Sequence, residues 1–218
     1  MSAKICANAA EAVDGIEDGS TILVGGFGMA GMPVRLIDAL IEQGATDLTV
    51  VSNNAGNGDT GLAALLAKNR VRKVVCSFPR QADSWVFDGL YRAGRIELEL
   101  VPQGTLAERM RAAGAGIGAF FSPTGVGTTL ADGRETREID GRSYVIEYPI
   151  KGDVALIGAH RADRMGNLVY RKTARNFGPV MATAARLVIA EVREVVDTGA
   201  LDPEAVVTPS IYVDRVVA

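Results

Sequence analysis

Along the first two-thirds of the chain the hydrophobic positions switch repeatedly between two periods. Short apolar runs, STILVGG, DLTVVSN, VRKVVCSF and IELELVPQG, read as buried strands. Each is followed by a segment whose apolar residues recur three and four apart: PVRLIDALIEQG, TGLAALLAKN, ADSWVFDGLYRAG and TLAERMRAAG. That spacing places them on one face of a helix. Glycine closes the first and third of these helices, as it commonly does. Strand–helix units in succession predict a parallel sheet with helices packed on its faces.

The pattern then changes. RETREIDGRSYVIEYP alternates polar and apolar residues around Asp140–Gly141, a hairpin signal. DVALIGAHRAD and GNLVYR predict two more strands joined through a turn at Met165, Gly166 and Asn167. PVMATAARLVIAEV predicts a short helix followed by a strand, and AVVTPSIYVDRVV ends the chain with strand-like residues. The expected fold class is α/β. A mixed, mainly parallel sheet carries helices on both faces, with antiparallel strands in the C-terminal third, in a single domain over 1–218. Trp85, Phe87 and Tyr91, at helical spacing in SWVFDGLY, are expected to pack into the core.

Composition narrows the function classes. The formal net charge is −3, which gives no overall attraction to nucleic acid or to an anionic membrane. An anionic ligand would need locally placed donors. Two cysteines, Cys6 and Cys76, cannot build a disulfide framework or a zinc knuckle and are expected to be reduced structural thiols. A single histidine, His160, rules out a His-rich metal site, so no metal is expected. The first residues, MSAKICANAAEAVDGIEDG, resemble neither a signal nor a transit peptide. The uncharged run 112–131 is interrupted by glycines and Pro123, so it is not expected to span a bilayer as a helix. The expectation is a cytoplasmic protein that engages neither membrane nor nucleic acid.

Candidate chemistry centres on Gly26, Phe27, Gly28, Met29, Ala30 and Gly31, which literally spell G-x-G-x-x-G between a strand and a helix. One reading is a dinucleotide-binding turn, whose backbone N–H groups would meet a pyrophosphate. Such a site wants an acid at the end of the second strand. Here that strand runs into Ser52, Asn53 and Asn54, and Pro33 delays the helix. A second reading is a glycine turn that merely lets strand meet helix.

A third reading comes from the longer stretch 18–33, DGSTILVGGFGMAGMP, which closely resembles family I coenzyme A transferases in their α-type chain. VPQGTLAERMRAAGAGIGAFFSPTGVGT, GNLVYRKTARNFGPVMATAA and VVTPSIYVDRVVA resemble the same family, so the likeness covers essentially the whole chain. SNNAGNGDTGLAALL and VCSFPRQADSWVFDGLYRAG look most like its 3-oxoadipate branch, whose enzymes exchange CoA with succinate.

The resemblance implies CoA transfer from succinyl-CoA to a 3-oxo acid through a glutamyl-CoA thioester, which is covalent, ping-pong catalysis. It places the nucleophilic glutamate on a β subunit, in a heterodimer or α₂β₂ assembly, within a Ser-Glu-Asn-Gly-type motif that this chain lacks. The glutamates here fall in helical runs (Glu11, Glu42, Glu108), in strand-like runs (Glu97, Glu99, Glu135, Glu147) or near acidic surface segments (Glu191, Glu194). The resemblance gives Gln103 the thioester carbonyl, as a neutral donor to the developing oxyanion. It gives the CoA contact to the loop of Gly25, Gly26, Phe27, Gly28, Met29, Ala30 and Gly31, where missing side chains permit close approach. No permanently bound cofactor is expected; the CoA thioester is a substrate. An acetoacetate-type transferase is the nearest alternative, and a nicotinamide-dependent oxidoreductase a more distant one. The basic run with Arg161, Arg164, Arg171, Lys172 and Arg175 is left open between ligand binding and structure.

Overall fold

The computed structural model describes residues 4–218. The four expected strand–helix units are present. Strands β1 (Thr21–Val24), β2 (Leu48–Val51), β3 (Val71–Cys76) and β4 (Glu97–Leu100) are followed by helices α2 (Val34–Gln43), α3 (Leu62–Ala67), α4 (Trp85–Arg92) and α5 (Gln103–Gly114). A short α1 (Ala9–Val13) precedes them, opened by the Asn8 side chain, which accepts from the Glu11 N–H. Gly44 ends α2 in the left-handed conformation, φ 100°, as the sequence suggested.

The second half supplies β5 (Phe120–Ser122), β6 (Thr136–Ile139), β7 (Arg142–Glu147), β8 (Gly152–Gly158), β9 (Arg161–Asp163), β10 (Leu168–Val169), α6 (Gly178–Ala184), β11 (Ala185–Glu191), β12 (Glu194–Val196) and β13 (Arg215–Val217). The central sheet runs β13-β11-β8-β1-β2-β3-β4, and every pairing in it is parallel. Late strands β8, β11 and β13 therefore join the main sheet in parallel, more fully than the sequence suggested. Among the described residues, antiparallel pairing between strands occurs in two small sheets, β5-β7-β6 and the β9–β10 hairpin with β12 alongside. The β6–β7 turn is the expected one: Asp140 and Gly141 both have positive φ, the geometry of a tight two-residue hairpin.

Period-two alternation sorts each strand between two cores. Ile22, Val24, Leu48, Val50, Val74, Cys76, Val154 and Leu156 face one apolar cluster, shared with Leu36, Leu40, Leu62 and Phe87 from α2 to α4. Leu23, Val51, Val75, Ala155 and Ile157 face the other, shared with Leu106 and Met110 of α5 and Met181 of α6. Helices thus cover both faces. Of the three aromatics expected in the core, only Phe87 enters it; Trp85 is 62% exposed and Tyr91 stacks on Phe87 from a half-open position. The reason is helical geometry. Residues four apart share a face, whereas Trp85 is two positions from Phe87 and points away from it.

The strand order has a consequence for function. From β1 the chain winds one way through β2, β3 and β4, then returns to the other side of β1 for β8, β11 and β13. The reversal lies between β1 and β8. Open parallel sheets bind ligands outside the carboxyl ends of their strands at such a reversal.

Candidate active site at the carboxyl edge of the sheet

The loop 25–31 leaves β1 at that reversal, and its hydrogen bonds show how it is held. Gly25 N–H donates to the Leu156 carbonyl at 2.9 Å, continuing the β1–β8 pairing. Phe27 and Ala30 exchange backbone bonds at 3.0 and 3.2 Å, closing a tight turn around Gly28 and Met29. Asn176 braces it from outside. Its Oδ1 accepts from Gly26 N–H at 3.1 Å, and its Nδ2 donates to the Ala30 carbonyl at 2.9 Å and the Thr173 carbonyl at 2.8 Å. Gly31, φ 76°, packs so closely on the Ala174 backbone that a Cβ would overlap its carbonyl oxygen. Gly158 abuts the Gly31 carbonyl in the same way, at 2.6 Å from a would-be Cβ. The glycines at the base of the loop thus serve close packing. At the tip, Gly28 has open space around it, and Phe27 and Met29 are more than half exposed. Among the described residues, Gly28 and Met29 N–H have no hydrogen-bond partner.

On one side of the loop lies a cluster of neutral polar groups. Asn53, at the end of β2, is 3% exposed. Its Oδ1 accepts from Gln103 Nε2 at 2.7 Å and from Ser77 Oγ at 2.9 Å. Gln103 is the first residue of α5 and itself exposed, so its amide reaches back from β4 across the edge toward β2. Ser52 Oγ, Asn54 Nδ2 and Thr105 Oγ1, in residues flanking this cluster, are buried without a partner among the described residues. Buried orphans of that kind mark places where water or a ligand supplies the missing bond.

An ion network secures α5 beneath Gln103. Arg109 bonds to Glu99 of β4 at 2.9 Å and lies 3.8 Å from Glu147 of β7, which also meets Arg134 at 2.7 Å; Lys73 of β3 reaches Glu99 at 2.7 Å. Burial raises the Glu99 carboxyl pKa, but hydrogen bonds and charge from Lys73 and Arg109 outweigh it, leaving it below the usual value.

On the other side of the loop a cleft of about 620 Å³ opens at the ends of β8 and β11. Glu191 lines it, instead of lying in a surface segment as the sequence suggested. Its carboxylate is committed: one oxygen pairs with Arg35 at 3.2 Å, the other accepts from Leu36 N–H at 3.1 Å. That second bond satisfies a donor in the first turn of α2, whose N-cap, Pro33, has no side-chain acceptor. The basic run divides. Arg164 pairs with Asp197 at 3.1 Å, whereas Arg171 and Lys172 line the cleft with Arg193 and His160.

The remaining candidates are structural. Cys76 is fully buried, and burial pushes its thiol pKa up to about 12. Cys6 is raised as well, by burial and then by Glu11. Among the described residues there is no cluster able to hold a metal ion, and no helix is long and apolar enough to cross a membrane.

Residues 6–218 match the family model described as Coenzyme A transferase. The chain belongs to this coenzyme A transferase family. It is 70% identical over 209 residues to the A-type subunit of 3-oxoadipate CoA-transferase from Pseudomonas putida, covering 96% of this chain and 90% of that one. It is 50% identical to the A-type subunit of a probable succinyl-CoA:3-ketoacid coenzyme A transferase from Bacillus subtilis, covering 98% and 89%. Among solved structures it resembles an acyl-CoA transferase from Escherichia coli O157:H7, in a thioester complex with CoA. The TM-score is 0.86 at 26% identity, over 99% of this chain. The coenzyme A transferase chain described here spans about half of that one, 47%.

The structure also brings to this edge residues that sequence reading does not single out. Asn53 and Ser77 are legible as polar residues at the ends of the predicted strands DLTVVSN and VRKVVCSF. Asn176, Arg193 and the capping role of Glu191 carry no local signal.

Proposed function

We propose that this chain is the α-type half of a heteromeric 3-oxoacid CoA-transferase that moves CoA from succinyl-CoA to 3-oxoadipate, with the nucleophilic glutamate on a β subunit. The observation that carries the reading is the chain-long similarity to the Pseudomonas putida protein. Two further facts support it. A single-chain enzyme of the same fold is about twice as long, leaving room for a second half from a partner. The one acidic side chain that lines the cleft at the strand ends, Glu191, is tied to Arg35 and the start of α2.

In this reading the partner's carboxylate oxygen attacks the succinyl thioester carbonyl. The adduct expels CoA thiolate as the mixed anhydride forms; the thiolate then attacks the glutamyl carbonyl of that anhydride, and succinate leaves. The carboxylate of 3-oxoadipate repeats the exchange in reverse and carries CoA away. Negative charge develops on a carbonyl oxygen at each addition. Gln103 supplies a neutral N–H donor there, held by Asn53, which is itself buried and fixed by Ser77. A neutral amide suits the task because it does not form a permanent ion pair with the incoming carboxylate. The unpaired N–H groups of Gly28 and Met29 at the loop tip offer donors to the CoA arm.

The test assays transfer from succinyl-CoA with this chain alone, with a purified β partner, and with 3-oxoadipate or acetoacetate as acceptor. Activity is expected only from the pair and greater with 3-oxoadipate. Strong activity from the lone chain would sink the two-chain account. Equal or better use of acetoacetate would move the assignment to the acetoacetate-type enzymes.

A further inference from the structure

The cleft beyond the glycine loop is lined by more basic than acidic side chains. The chain carries a net charge of −3, yet Arg171, Lys172 and Arg193 line this one cavity with no carboxylate partner among the described residues. The one acidic side chain within it, Glu191, is neutralised by Arg35 and the α2 backbone, and Ala218, also in the lining, pairs with none of the three cations. Lys172 is held at φ 52°, a left-handed conformation that a non-glycine residue adopts at a cost. The turn that carries it is fastened to the glycine loop through Asn176 and through Gly31 against Ala174. Free cations on a turn clamped to a ligand loop make an anion site.

Reach identifies the anion. Neighbouring strands lie about 4.8 Å apart, so the cleft at β8 and β11 is roughly 10–15 Å from the Asn53–Gln103 amides over β2. The free carboxylate of a succinyl group lies three C–C bonds from its thioester carbon, under about 5 Å away. A 3-oxoadipyl group extends only to roughly 7 Å. The pantetheine arm of CoA, about a dozen bonds, reaches on the order of 15 Å. The cavity volume of about 620 Å³ also lies in the range typical of pockets for whole small-molecule ligands, well beyond a lone carboxylate. We infer that Arg171, Lys172 and Arg193 form the site for the phosphate end of the CoA thioester, its arm running past the tip of the glycine loop to Gln103. This rests on the proposed function only in requiring a CoA thioester, whichever acid is exchanged.

The test replaces Arg171→Gln together with Arg193→Gln, and separately Lys172→Gly, which removes the charge while accepting the positive φ. Both are exposed changes; thermal unfolding of the double variant should match the parent chain, and that of Lys172→Gly should be no lower. In the assembled enzyme the double substitution is expected to raise KM for succinyl-CoA roughly tenfold to fiftyfold, leaving kcat and KM for the acceptor acid within about twofold. Added salt should raise KM for succinyl-CoA in the parent more steeply than in the variant. On the full chain alone, calorimetry with adenosine 3′,5′-bisphosphate should show binding that the substitutions weaken. A rise in KM confined to the acceptor acid would overturn the inference, because the cations would then serve a carboxylate. Bisphosphate binding that ignores the substitutions would overturn it too. Failure of the assembled enzyme to transfer CoA to any 3-oxo acid would defeat the proposed function instead, and calorimetry would still judge the cleft.

Discussion

Gly28 and Gly31 make a controlled pair for the packing argument. Both have positive φ, 57° and 76°, so alanine at either position meets the same backbone penalty, about 1–2 kcal/mol. Only the space differs. A Cβ at Gly28 has nothing within 4 Å, whereas one at Gly31 runs into the Ala174 carbonyl. To clear it, the turn 172–175 must move. That turn is tied down by the bond from Asn176 Nδ2 to the Thr173 carbonyl, and Asn176 also holds Gly26 and Ala30. Losing one or two such bonds costs about 0.5–1.5 kcal/mol each, before any residual overlap. Gly31→Ala should therefore destabilise by about 1.5–5 kcal/mol and Gly28→Ala by about 1–2. In thermal unfolding Gly31→Ala should melt below Gly28→Ala by roughly 1–12 °C for a chain of this length. Urea titration should show the same order through a lower midpoint at unchanged slope. If Gly31→Ala proves no less stable than Gly28→Ala, the loop is not braced by that contact, and the account of its rigidity fails.

Asn53→Ala should lower kcat roughly tenfold or more with a smaller change in KM, because Gln103 loses its anchor while the CoA contacts remain. An unchanged kcat in the folded assembly would remove Asn53 from the account. Glu99 gives a pH prediction. Its carboxyl pKa lies below the ordinary 4.5 in the folded state, so its contribution is present at neutral pH and lost as pH falls through the folded value. Glu99→Gln should therefore cost up to about 1 kcal/mol near pH 7, and the gap from the parent should close below about pH 4.5. A gap constant down to pH 3 would contradict the ion network.

What the sequence discloses follows the range of the interactions involved. Strand–helix alternation, the Asp140–Gly141 hairpin and the Gly44 helix stop are written in neighbouring residues, and all three are found. Sheet order is not local. An apolar run such as that of β8 or β11 announces a buried strand but not its neighbour, so their parallel seats beside β1 emerge only from the structure. Trp85 escapes the core because it lies two positions from Phe87 and so on the opposite side of the helix, while which of the two sides faces the sheet is settled by packing. The carboxyl edge divides the same way. Gln103 is visible at a strand-to-helix junction, and Asn53 lies two residues beyond β2. Glu191 caps a helix 155 positions away and Asn176 grips a loop 150 positions away, distances at which single-sequence patterns carry nothing.

The brace by Asn176 also bears on the entropy of binding. One side chain fixes the glycine loop and the cationic turn together, so their relative freedom is surrendered when the chain folds, not when a substrate arrives. A ligand that spans both then immobilises mainly itself. Ordering a loop on binding can consume several rotamers' worth of free energy, about 0.5–1.5 kcal/mol for each side chain that must be frozen. A pre-set frame leaves that energy available for aligning the thioester with its attacker.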